Sequence, residues 1–95
     1  MNACFHELEA VGDRYRHTLE APDGRAVQLW TDLSFAYVQV YVTDEFPDSI
    51  HGRVRAVAIE PMTAAPDALN SGRGLRWLGP GESWDLSWGL RAEGW

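Results

Sequence analysis

Alternation of apolar and polar positions runs through most of the chain. In "RYRHTLEA" (14–21) Tyr15, His17 and Leu19 fall on one face and Arg14, Arg16, Thr18 and Glu20 on the other, the period of a half-buried strand. "APDGR" follows, a turn in which proline presets φ and glycine accepts the left-handed region. A hairpin to a second strand, "AVQLW" (26–30), is therefore predicted. The strongest strand signal is "FAYVQVYVTD" (35–44), where Val38, Val40 and Val42 alternate with Tyr37, Gln39 and Tyr41. The valine face reads as core. The other face, which mixes phenol hydroxyls with an amide, reads either as the wall of a polar cleft or as an ordinary amphipathic surface.

Over residues 44–53, "DEFPDSIHGR", the alternation lapses among turn-forming residues, which predicts a loop. It resumes in "VRAVAIE", with Val54, Ala56, Ala58 and Glu60 on one side and Arg55, Val57 and Ile59 on the other. Pro61 is expected to end this run as a central ladder member. "APDAL" fits a single helical turn with Pro66 near its start, "LNSGRG" a flexible link, and "LRWL" and "SWDLSWGL" two closing strands joined by "GPGE". The pattern predicts an all-β fold built from antiparallel hairpins with little helix.

A length of 95 residues bounds this to one domain, 1–95, with one core. The net charge of −6 argues against nucleic acid and anionic membrane as partners, since both recruit clustered Lys and Arg. The single cysteine, Cys4, forms no intramolecular disulfide, and "MNACFHELEA" has neither a basic start nor a long apolar run; a cytoplasmic location is expected. No zinc-spaced His/Cys set, glycine-rich phosphate loop or nucleophile motif is present, so neither metal nor cofactor is expected. Five tryptophans are many for this length, and tryptophan serves both as core anchor and as a platform for the C–H faces of sugars.

Glu60 is the residue that asks for a chemical explanation. A carboxylate closing a largely apolar strand costs free energy unless it is paired or used. Arg53 or Arg55 would serve as an ion-pair partner. Alternatively, the small neighbours Ala56 and Ala58 leave room beside the carboxylate for a ligand to approach it.

The residues around Glu60 carry a wider pattern. "IEPMT", "PDALN", "GLRWLGPGES" and a closing "WGL", in this order and spacing, resemble the carboxy-terminal third of the aldose 1-epimerase (galactose mutarotase) family, and the similarity extends from about Phe5 to Leu90. That resemblance implies a larger β-sandwich enzyme that interconverts the α and β anomers of free aldoses of the galactose and glucose type. It implies that Glu60 takes the proton from the anomeric hydroxyl, while a histidine from an earlier part of the chain protonates the ring oxygen.

Three departures from the family pattern matter. None of His6, His17 and His51 falls where the family carries its catalytic histidine. Asn2 stands where family members carry a sugar-binding aspartate; with Gln39 and Tyr41 it completes the expected substrate-binding set. A sandwich fragment also exposes strand edges, so a homo-oligomer or a complementing chain paired through those edges is expected. Two competing functions share this sequence. One is a non-catalytic carbohydrate-binding module in which Tyr37, Gln39 and Tyr41 work with Trp30 or Trp77 as the stacking platform; the other is a purely structural β module.

Overall fold

The computed structural model describes residues 1–95. Six strands and one short helix follow in the order β1 (Asn2–Phe5), β2 (Arg14–Glu20), β3 (Ala26–Asp32), β4 (Tyr37–Asp48), β5 (Gly52–Met62), α1 (Ala68–Ser71) and β6 (Trp88–Glu93). They form two antiparallel three-stranded sheets, ordered β1-β4-β5 and β2-β3-β6. The chain is all-β.

The β2–β3 hairpin turns where the sequence places it. Ala21 N–H donates to Arg25 O at 2.7 Å, and Gly24 takes φ 91°, a value that side chains resist. The predicted loop 44–53 is instead mostly strand. Thr43 pairs with Ala56 but Phe46 pairs with Val54, so Asp44 and Glu45 together face Arg55 in a β-bulge. One extra residue reverses the parity of the strand, and that is why the period-two signal disappears there although the ladder continues.

Pro61 does not end β5. It pairs with Val38, and β5 lies at the sheet edge with Met62 as its last residue. Met1 and Val42 exchange backbone hydrogen bonds of 3.1 and 2.8 Å, so the even residues of β4 bond toward β1 and its odd residues toward β5. Alternation then aims the backbone of Pro61 outward, where a missing N–H breaks no bond. "LRWL" forms no strand, and residues 83–87 of "SWDLSWGL" form none either; the last strand begins only at Trp88. Asp32 holds that start, its N–H donating to Ser87 O at 2.9 Å and its Oδ2 accepting from Ser87 N–H at 2.7 Å. Residues 75–78 have no neighbouring strand to complete a ladder, and Trp77 stays 84% exposed.

The two sheets turn their apolar faces toward one another across an open cleft of about 550 Å³, lined mainly by Leu19, Val27 and Leu29, by Val57 and Ile59, and by Phe35. The cleft is not closed over. Only Leu29, Val38, Ala65, Ala68 and Thr31 are buried. The radius of gyration is 15.9 Å, against about 12 to 13 Å for a close-packed chain of this length. The accessible surface is 7182 Å², about 1,700 Å² more than a compact monomer of 10.7 kDa exposes.

His17 sits on this inner face, opposite Leu29, with its Nε2 buried and without a partner. Alternation in the sequence places it on this face, and the unpartnered atom is Nε2. Burial holds its pKa below the ordinary 6.5. As pH falls through 6.5, the unfolded chain binds a proton that the folded chain refuses, and stability declines with pH in that window, which lies above the carboxylate range. The melting temperature is expected to drop between pH 7 and 5, and His17→Leu to flatten that slope while stabilising the chain at pH 7 by about 1 kcal/mol. Parallel pH profiles for the two proteins would exclude His17 as the cause.

Candidate functional site

The sheet β1-β4-β5 has a second, polar face, and a recess of about 530 Å³ opens there. Its position follows from register. Gln39 lies directly opposite Glu60, and Tyr41 lies between Ala58 on one neighbouring strand and Asn2 on the other. Alternation therefore sends Asn2, Gln39, Tyr41, Ala58, Glu60 and Met62 to one side of the sheet, and all six line the recess. Pro66 completes the wall from the segment after β5, which the buried Ala65 and Ala68 anchor.

All four residues singled out from sequence, Glu60, Asn2, Gln39 and Tyr41, thus meet in one concavity. Gln39 Nε2 donates to Asn2 Oδ1, which fixes both amides and leaves Gln39 Oε1 and Asn2 Nδ2 free for a ligand. With the Tyr41 hydroxyl and the Glu60 carboxylate, the recess offers donors and acceptors beside apolar surface from Ala58, Met62 and Pro66. That mixture suits a small polyhydroxylated molecule. Met62 and Pro66 are lining residues that nothing in the sequence assigns to a site. Met62 shares the parity of Glu60, and the signal was lost because Pro61 was expected to end the strand.

Both arginines proposed as ion-pair partners for Glu60 are engaged elsewhere. Arg55 Nε donates to Asp44 at 2.6 Å, and this guanidinium holds the Asp44 carboxyl below the usual carboxylate range. Arg53 pairs with Glu45 at 3.6 Å. Glu60 makes no salt bridge and is exposed, so Ala58 gives it room without shielding it from water.

No histidine lines the recess. His6, one residue beyond β1, brings its ring to 6.2 Å from that of Tyr37. His51 is held in the β4–β5 turn, its Nδ1 at 2.8 Å from Asp48 Oδ2; the His51 backbone N–H and ring together keep the Asp48 carboxyl below its ordinary range. The two tryptophans considered as sugar platforms lie elsewhere. Trp30 belongs to the other sheet with the Arg14 guanidinium 3.9 Å over its ring, and Trp77 is not among the lining residues. No group of three or more His, Cys, Asp or Glu is gathered as a metal site, and no helix is long and apolar enough to cross a membrane.

Comparison with protein-family models, with curated proteins and with solved structures gives no match to this chain.

Proposed function

We propose that this chain carries the base-bearing, sugar-binding part of an aldose 1-epimerase-like site on a galactose mutarotase-like sandwich, acting on the anomers of free aldoses of the galactose or glucose type. The observation that supports this most directly is the unpaired Glu60 carboxylate in one recess with Asn2, Gln39 and Tyr41. In this reading Gln39, Asn2 and Tyr41 hold ring hydroxyls, and Glu60 accepts the proton of the anomeric hydroxyl. The C1–O5 bond then breaks as the carbonyl forms. The carbonyl rotates, the C5 hydroxyl oxygen attacks from the other face as its proton goes back to the acid that supplied it, and Glu60 returns its proton to the anomeric oxygen. The acid that protonates the ring oxygen comes from outside the recess as it stands, from water or from a further polypeptide segment. The lone Cys4 and the absence of a disulfide suit a reducing, cytoplasmic setting.

A second reading is a carbohydrate-binding module without turnover, and the absence of a histidine among the lining residues favours it. Polarimetry of freshly dissolved α-galactose, alongside a binding titration, separates the two. Mutarotation faster than buffer supports the epimerase reading. Saturable binding at the buffer rate transfers the site to the binding module. No binding of galactose or glucose rejects both.

A further inference from the structure

Four strand edges are open: β1 and β5 in one sheet, β2 and β6 in the other. Each edge presents free N–H and C=O groups, and soluble proteins guard such edges with short strands, charges or proline. Three of the four edges here are guarded. β1 is four residues long. The outward row of β5 runs from Arg55 to Pro61, a charge at one end and a residue without N–H at the other. In β2, the Ala21–Arg25 bond fixes the odd residues toward β3, so the outward row is Arg16, Thr18 and Glu20, with charge at both ends.

The fourth edge has no guard. The bond from Asp32 N–H to Ser87 O sets the odd residues of β6 toward β3, which leaves Trp88, Leu90 and Ala92 as the outward row. Every residue in it is apolar. Trp88 is 58% exposed and Leu90 65% exposed, and both side chains lie on the cleft-lining face.

We infer that β6 is the pairing edge for a second copy of this chain, joined antiparallel about a two-fold axis at Leu90, so that the two β2-β3-β6 sheets become one continuous sheet. Registers that keep the apolar faces together must pair even residues with even residues. Centring on Leu90 sets Leu90 against its own copy and Trp88 against the partner's Ala92, which satisfies the free backbone groups of all three residues at once. Charge does not oppose this. Arg91 and Glu93, on the other face, pair with each other at 3.2 Å, and Arg91 falls opposite the partner's Gly89, which presents no side chain. The surplus surface also fits. About 1,700 Å² per chain, removed from both copies, lies within the range buried by obligate homodimers. The inference is independent of the sugar reading, because the recess lies on the other sheet.

Sedimentation equilibrium of the full chain at micromolar concentration is expected to give twice 10.7 kDa. Leu90→Lys places two ammonium groups at the axis. Ala92→Pro removes an outward N–H without touching the bonds to β3. Each is expected to weaken dimerisation by about 100-fold or more, with far-UV circular dichroism confirming the fold. Should either variant fail to fold, cross-linking decides: in a Cys4→Ser background, Leu90→Cys is expected to oxidise to a disulfide dimer readily, since facing Cα atoms in such a pair lie about 5.5 Å apart, and Arg91→Cys is not. A monomeric wild type, a dimer indifferent to both folded edge variants, or equal cross-linking at positions 90 and 91 would overturn the proposal.

Discussion

On the epimerase reading, Glu60→Gln is expected to return mutarotation to the buffer rate while leaving the affinity for galactose within a few fold. The substitution keeps size and one hydrogen-bond acceptor but removes the ability to take a proton, and a positioned general base is worth about 100- to 10,000-fold. The structure makes the test clean. Glu60 makes no ion pair, because Arg55 is committed to Asp44 and Arg53 to Glu45. Losing its charge therefore strands no cation, and the melting temperature should scarcely move. Gln39→Ala behaves differently: it removes a side chain that holds Asn2 and lines the recess, so binding should weaken along with rate. Initial rates by polarimetry and affinities by titration give both quantities. Catalysis that survives in Glu60→Gln would remove this residue as the base.

Much of the recess was legible in the sequence because it depends on parity. Gln39 and Tyr41 alternate with valines, Glu60 alternates with Val57 and Ile59 and shares the face of Ala58, and once the two strands pair, one face necessarily collects all three polar residues. What pairs with what is a long-range fact, and there the sequence is silent. The strand β1 that brings Asn2 beside Tyr41 is too short to show a period. Nothing local reveals that Arg55 would face a bulge and be captured by Asp44 rather than by Glu60.

The errors at the far end of the chain have one cause. "LRWL" and "SWDLSWGL" both alternate, yet a strand exists only where a neighbour completes its ladder. Asp32 supplies that neighbour from Ser87 onward, and residues 75–78 have none. The same shortage of neighbours leaves the inner faces of both sheets open, with Trp88 and Leu90 exposed rather than enclosed. An alternating pattern marks which side of a strand is apolar. It does not say whether the chain itself contains enough further layers to cover that side.

Gly89→Val is expected to destabilise the chain by about 2 to 3 kcal/mol, at the upper end of what overpacking costs. Gly89 lies directly opposite Trp30, and a Cβ placed there would come within 2.6 to 2.8 Å of three atoms of the indole. The backbone at Gly89 is not in the left-handed region, so the penalty is steric. The ring has little freedom to retreat, because the Arg14 guanidinium sits 3.9 Å over it. Moving the indole would break that cation–π contact, worth about 0.5 to 1 kcal/mol, and would loosen β6 from β3. With so few residues buried elsewhere, the β2-β3-β6 sheet has no reserve against such a loss. A double-mutant cycle isolates the cause: Trp30→Ala removes the obstacle, so Gly89→Val should cost much less in that background than in the wild type. Urea unfolding followed by far-UV circular dichroism supplies the four free energies. Additive effects would show that the indole is not what excludes a side chain at position 89, and the close packing of Trp30 on Gly89 would then have no part in holding β6 in its sheet.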